Sequence, residues 1–138
     1  MRRTVIVFAL GAALIVPVVP AAAGMHDTYV TYDCAHTKME PRSILFACGD
    51  GNFFAKHLDW HRWHPYRALG EGIFHQNACH PDCASGTFHE KSGRIILHGR
   101  MWCSNVHRYV FAHARIRFEK RLIGRKRVHF GLACPMHG

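Results

Sequence analysis

Apolar residues recur at every second position along much of this chain. The pattern is clearest from Val110 to Phe118, where Val110, Ala112, Ala114, Ile116 and Phe118 are apolar. The residues between them are cationic, aromatic or histidine up to Arg117. Because successive side chains of a strand point to opposite faces, this pattern predicts a strand with one face on a core.

Weaker signals of the same kind predict further strands. They are the apolar runs Ser43 to Cys48 and Arg94 to Leu97, the residues Phe54, Leu58 and Trp60, the segment Arg67 to Gln76, and the residues Val128, Phe130 and Leu132. Gly70 and Gly72, two residues apart, indicate a bulge or the close approach of an aromatic ring. No long stretch has the periodicity of an amphipathic helix. We therefore predict an all-β fold, a small antiparallel β-sandwich or barrel of five to seven short strands.

The N-terminus follows the plan of a signal peptide. Arg2 and Arg3 precede an apolar run from Val5 to Val19, and Ala21-Ala22-Ala23 follows it. We predict a signal peptide over residues 1–23, cleaved after Ala23, and a single secreted domain over residues 24–138. An uncleaved membrane anchor is the alternative, but prolines interrupt the run and it falls short of the ~20 apolar residues that a spanning helix needs.

Six cysteines remain in the predicted secreted domain, at positions 34, 48, 79, 83, 103 and 134. Exported thiols pair readily, and a small domain gains stability from the crosslinks, so we predict a disulfide-stabilised extracellular protein. Fifteen pairings of six cysteines are possible.

Four short motifs resemble a family of small secreted actinobacterial proteins of unknown function. They are Pro41-Arg42-Ser43-Ile44, Cys48-Gly49-Asp50-Gly51-Asn52, Trp60-x-x-Trp63 and Cys79-x-Pro81-x-Cys83-Ala84-x-Gly86. The resemblance covers about residues 41–118 and implies export and a fold type, but no catalytic residue. The C-terminal segment 119–138, predicted to be a basic hairpin with its turn over Glu119 to Arg127, lies outside it.

This resemblance favours one disulfide pairing over the others. Cys34 and Cys134 both lie outside the family-like region, so we expect them to join the two ends of the domain. Cys48, Cys79, Cys83 and Cys103 would then form two bridges in the core, with a local bridge between Cys79 and Cys83 as an alternative.

Charge is concentrated near the C-terminus. The chain has 18 Lys and Arg against 9 Asp and Glu, a net charge of +9, which falls to +7 once Arg2 and Arg3 leave with the signal peptide. Seven cations lie between Arg115 and Arg127, where Glu119 is the only acid. Because local basic patches attract anions, we predict an anion-binding site there. Its predicted residues are Arg115, Arg117, Arg121, Arg125, Lys126, Arg127, His113 and His129.

The chain is also rich in histidine, with 13 residues. One alternative function is therefore the binding of zinc or copper, with His57, His61, His64, His75 and His80 as candidate ligands. Because the spacings lack the paired pattern of a structural zinc site and exported cysteines tend to oxidise, we expect no metal or other cofactor. A second hypothesis is that acidification charges these side chains and strengthens the binding of anions.

Aromatic residues suggest a further alternative, a glycan-binding surface. Trp60, Trp63, Trp102, Tyr66, Tyr109 and Phe111 could form a platform for sugar rings, although Trp60 is expected in the core. Catalysis has little support, because no nucleophile motif is present and Asp50 in its glycine-rich turn suits backbone capping better than acid chemistry.

The sequence thus predicts a secreted, non-enzymatic binding module that contacts an anionic surface or polymer. The expected partners are an anionic envelope lipid, a wall polymer or a host polyanion, without nucleic acid as a native partner and without a transmembrane segment after cleavage. We expect a monomer.

Overall fold

The computed structural model describes residues 27–136, so the predicted signal peptide lies outside the described residues. Between residues 27 and 136 the chain forms eight strands of one sheet, curled into a half-barrel. The strands are β1 (Thr28–Thr31), β2 (Thr37–Lys38), β3 (Ile44–Leu45), β4 (Phe53–His64), β5 (Arg67–Asn77), β6 (Phe88–Cys103), β7 (Arg108–Leu122) and β8 (Arg125–Gly131). The predicted all-β class is confirmed, with eight strands in place of the expected five to seven; of the two predicted architectures, the single curled sheet is closer to the barrel than to the sandwich.

The strands follow the order β2-β1-β7-β6-β5-β4-β3, with β8 also paired to β7. Neighbouring strands from β3 to β8 run antiparallel, whereas β1 runs parallel to the start of β7 at Thr28 and Tyr29. One edge of β7 is therefore shared between β1 and β8, and its other edge pairs with β6 along most of its length. This arrangement places β7 at the centre of the fold.

The core lies inside the curl of the sheet. Its largest fully buried side chains include Phe74, Phe111 and Phe118, and Phe53 contacts both Phe74 and Phe118. Gly70 allows the Trp60 ring to lie against β5, since a Cβ at Gly70 would come within 2.8 Å of that ring. The expected close approach of an aromatic ring is thus confirmed for Gly70.

Strand β4 departs from the simple alternation that the sequence suggested. Phe53, Ala55 and Leu58 are buried, so the inward face changes phase between positions 55 and 58. The pairing with β5 shifts its register at this point, and His57 has a φ of 53°. Such a bulge adds one residue to a strand. The expectation that Phe54 shares a face with Leu58 was wrong, because Phe54 stacks on His75 instead.

A similar change of phase occurs in β7. Ala114, Ile116 and Phe118 are buried as predicted, but Phe111 is also fully buried and packs edge-on against Trp63. The sequence had placed Phe111 on the polar face. The change falls where the partner of β7 on one edge switches from β1 to β8.

The C-terminal hairpin is tighter than predicted. Strand β7 continues to Leu122 and β8 begins at Arg125, so the turn consists of Ile123 and Gly124 rather than Glu119 to Arg127. Gly124 has a φ of 75°, a conformation that glycine adopts without steric cost. The tighter turn puts Arg127 on a strand, opposite Arg117.

All six cysteines form disulfides, in the pairs Cys34–Cys48, Cys79–Cys83 and Cys103–Cys134. The predicted pairing of Cys34 with Cys134 was wrong, whereas the local bridge between Cys79 and Cys83 is present. Each terminal cysteine is instead bonded to a cysteine in a neighbouring part of the fold. Cys134 is bonded to Cys103 at the end of β6, and Cys34 is bonded to Cys48 in the turn before β4.

The loop that carries Cys79 and Cys83 is organised by the buried side chain of Asn77. Its Oδ1 accepts a hydrogen bond from the Cys79 backbone N–H, and its Nδ2 donates to the Cys83 carbonyl and to Asn52. A Cβ at Gly86 would come within 2.1 Å of the Asn77 Oδ1. Cys79, Cys83 and Gly86 therefore each have a structural role in this loop.

Asp50 also has the structural role that the sequence suggested. Its carboxylate accepts a hydrogen bond from the backbone N–H of Asn52, and this bond lowers the pKa of Asp50. Within residues 27–136 the chain contains no helix that could cross a membrane.

Candidate anion-binding site

The outer face of the sheet, opposite the core, carries rows of cationic side chains from neighbouring strands. One row across the sheet consists of Glu71, Arg94, Arg117 and Arg127, one residue from each of β5 to β8. The next row consists of Leu69, Ile96, Arg115 and His129. A third contains Arg67, His98 and His113 from β5 to β7.

Residues from these rows line an open groove of about 650 Å³. Its volume lies within the ~300–1,000 Å³ typical of small-molecule sites. Five arginines and two histidines line it, and Leu69 and Ile96 provide an apolar surface between them. The charged lining residues are Arg67, Arg94, Arg115, Arg117, Arg127, His61 and His129.

The strand register explains why the arginines converge. Arg94 lies directly opposite Arg117, and Arg117 lies directly opposite Arg127. Directly opposed residues on one face of a sheet have Cβ atoms about 5 Å apart, and like charges at these positions repel each other. Arg115 is two residues from Arg117 on the same strand and therefore faces the same side.

Acidic residues do not balance this charge. Among residues 27–136, none of Arg94, Arg115, Arg117 and Arg127 forms an ion pair with a carboxylate; the ion pairs there join histidines to acids. Glu71 is opposite Arg94 in the register, but its Oε2 lies 3.5 Å from the Nε2 of His61. The groove therefore combines concentrated positive charge with guanidinium groups that are suited to bidentate contacts with phosphate, sulfate or carboxylate.

His98 lies beside the groove in a second, smaller cavity. This cavity is also lined by His113, Arg115 and His129. The pKa of His98 is lowered, first by burial and then by the nearby cations, Arg115 foremost. Burial and the neighbouring cations therefore disfavour the imidazolium form of His98.

The structure divides the eight residues predicted from the C-terminal charge run. Arg115, Arg117, Arg127 and His129 line the groove, and His113 lines the adjacent cavity with His98. The other three lie at or next to the β7–β8 turn and do not line the groove: Arg121, Arg125 and Lys126. Two of these contact the hairpin itself, since Arg121 donates to the Gly124 carbonyl and Lys126 donates to the Glu119 carbonyl.

Two groove arginines were missed by reasoning from the sequence. Arg67 and Arg94 come from β5 and β6, far along the chain from the charge run, and reach the groove only through strand pairing. The alternation of Arg67, Leu69 and Glu71 on β5 was a usable signal, because it placed all three on one face. The register that aligns that face with β7 was not readable from composition.

The candidate metal ligands are spread over β4, β5 and the disulfide loop. His61 contacts Glu71, His75 stacks on Phe54, and His80 lies in the Cys79–Cys83 loop. The segment with His57, His61 and His64 is a strand rather than a helix, and Cys79 and Cys83 are oxidised. In the described range, no three His, Cys, Asp or Glu side chains are placed together to hold a metal ion.

The aromatic candidates fall into two groups. Trp60 and Trp63 pack against the core, and their indole N–H groups donate to the carbonyls of Pro41 and Thr28. Trp102 and Tyr66 are exposed, at 51% and 61%. Trp102 lies 5.0 Å from the Tyr109 ring, centroid to centroid, and the Arg100 guanidinium stacks 3.7 Å from the Tyr109 centroid. The exposed group forms a second surface near the β6–β7 turn.

Comparison of the chain with protein-family models, with curated proteins and with solved structures finds no match. The resemblance to secreted actinobacterial proteins therefore stays a prediction from the sequence.

Proposed function

We propose that this protein is a secreted, non-enzymatic module that binds an anionic surface or polymer through the arginine groove on β5 to β8. The observation that carries the proposal is the row Arg94, Arg117 and Arg127, in which three like charges are direct cross-strand neighbours without a carboxylate between them. This arrangement costs stability in the free protein. An anion bound along the row would remove that cost and gain charge-assisted hydrogen bonds.

The setting of the groove supports the same function. Three disulfides suit an oxidising compartment outside the cytosol, and the sequence begins with a signal-peptide pattern. The anions encountered there include phosphodiester lipids, wall polymers and sulfated glycans. Each of them presents oxyanions that a guanidinium group recognises.

Two triple variants with equal loss of charge test the proposal. The groove variant changes Arg94, Arg117 and Arg127 to Gln, and the control changes the turn residues Arg121, Arg125 and Lys126 to Gln. Each basic residue near an anionic membrane contributes about 1 kcal/mol, so three groove arginines account for about a hundredfold in affinity.

Binding is measured by co-sedimentation with phosphatidylglycerol vesicles and by retention on heparin at fixed salt. We expect the groove variant to lose about a hundredfold in affinity and the turn variant to stay within about threefold of the wild type. Equal losses of affinity in the two variants would mean that binding depends on overall charge and not on the groove. Unchanged binding by the groove variant would refute the proposal. Far-ultraviolet circular dichroism confirms that both variants fold.

A second candidate function is the binding of a sugar ring at the exposed aromatic surface. The specific observation in its favour is the exposed indole of Trp102 beside the Tyr109 ring, since flat aromatic faces stack on sugar rings. A glycan bound there would be lost in Trp102→Ala and be nearly insensitive to salt. Anion binding in the groove would instead weaken with salt and persist in that variant.

A further inference from the structure

His98 occupies an unusual position for a titratable group. It lies on β6 directly between Arg67 of β5 and His113 of β7, and its ring centroid is 5.2 Å from that of His113. The side chain is half-buried, and its Nε2 is buried without a hydrogen-bond partner among residues 27–136. A buried ring nitrogen without a partner is rare in folded proteins.

Every charged or titratable group that acts on His98 is a cation or a histidine. They come from each neighbouring strand: Arg67 from β5, His113 and Arg115 from β7, and His129 from β8. No carboxylate of the described residues forms an ion pair with His98. The same cations that attract an anion to the groove therefore oppose the protonation of this ring.

We propose that the groove binds its anion together with one proton, which the His98 ring accepts from solvent. This inference rests on the proposed anion-binding function. An anion held at Arg115 and His129 offsets the positive charge that disfavours the imidazolium form of His98. Neutral imidazole plus one proton then gives a charged ring beside a bound anion, and no other bond changes.

The linkage between proton binding and anion binding determines how strongly the affinity for the anion changes with pH. If a bound anion favours the protonated form of His98, protonation favours the anion by the same factor. Each unit by which the anion raises the pKa of His98 corresponds to a tenfold gain in affinity on acidification. Affinity should therefore rise as the pH falls from 7.5 to 5, which would restrict tight binding to acidic surroundings.

Sucrose octasulfate is a suitable probe because its sulfate esters stay ionised throughout this pH range. The His98 ring resonances of the wild-type protein are followed by NMR from pH 8 to pH 4, with and without saturating probe. We expect the titration midpoint of His98 to move upward by about one unit, and the affinity at constant salt to rise about tenfold between pH 7.5 and pH 5.

Two variants complete the design. His98→Gln should bind the probe at pH 7.5 within about twofold of the wild type, but with a smaller rise on acidification. His89→Gln, at the exposed start of the same strand, should keep the wild-type pH dependence. If His98→Gln fails to fold, the wild-type NMR titration alone decides.

The outcomes separate this inference from the function on which it rests. Binding of the probe with an unmoved His98 midpoint, or with the same pH dependence in His98→Gln, would overturn proton uptake at His98 and leave anion binding intact. If the probe does not bind at all over the range from pH 5 to pH 7.5, the result would contradict anion binding in the groove and, with it, proton uptake at His98.

Discussion

Removal of a single arginine from the groove should raise the free energy of unfolding of the protein and weaken its binding of anions. Arg117 is the best position, because it faces Arg94 on one side and Arg127 on the other. If the charges of directly opposed arginines are taken to be about 6 Å apart in water, each pair repels by about 0.7 kcal/mol. Screening at physiological salt, with a Debye length of about 8 Å, reduces this by about half.

The substitution Arg117→Gln removes both pairs and keeps an unbranched polar side chain, although a shorter one. We expect the free energy of unfolding to rise by about 1.2 kcal/mol at low salt and by about 0.6 kcal/mol at physiological salt. The corresponding increase in Tm at low salt is about 4 °C for a domain of this size. Added salt should stabilise the wild type more than the variant.

Urea unfolding at 10 mM and 500 mM salt, followed by tryptophan fluorescence, measures these differences. Arg42→Gln provides the control, since Arg42 is an exposed arginine in the segment before β3 and does not line the groove. Its stability should change little at either salt concentration. The idea that Arg94, Arg117 and Arg127 repel one another would be refuted by either of two results. One is a stability of Arg117→Gln at low salt that is lower than or equal to that of the wild type. The other is a dependence of stability on salt that equals that of the wild type.

Three further predictions concern the disulfides, the Asn77 loop and pH. Removing the Cys103–Cys134 bridge, whose ends are 31 positions apart in sequence, should cost about 3.7 kcal/mol, against about 1.9 kcal/mol for the Cys79–Cys83 bridge, whose ends are 4 positions apart. Urea unfolding of the double Ser variants measures both costs. Gly86→Ala should lower the free energy of unfolding by about 1–3 kcal/mol in the same assay, because the new Cβ displaces the Asn77 amide. Since the lowered pKa of His98 means that the unfolded chain binds the proton more readily, stability should fall as the pH drops below about 6.5, and thermal unfolding of His98→Gln should show a smaller fall.

Much of the architecture was predictable from alternation alone. The pattern around Ala114, Ile116 and Phe118 correctly assigned one face of β7 to the core, and the segment Arg67 to Gln76 matched β5 to within one residue. These predictions succeeded because burial of one face imposes a period of two on the sequence. Where a bulge or a change of partner interrupts the strand, as at His57 and Phe111, the period alone gave the wrong face.

The candidate site was only half accessible to the same reasoning. Charge density indicated Arg115, Arg117 and Arg127, which the structure places in one groove, but it could not separate them from the cations of the turn. Arg67 and Arg94 join them through the register of four strands, which depends on turn length and bulges rather than on local composition. The pairing of the cysteines could not be derived from the sequence for a related reason. It depends on which Cα atoms the completed fold brings close together.

The most direct test is to determine which residues of the protein an anion contacts. Sucrose octasulfate titrated into the isotopically labelled protein at pH 6 should perturb the arginine side-chain N–H signals of Arg94, Arg115, Arg117 and Arg127 together, with one saturation curve. Perturbation confined to the β7–β8 turn at Arg121 and Arg125, or to the surface around Trp102, would contradict the assignment of the groove as the binding site.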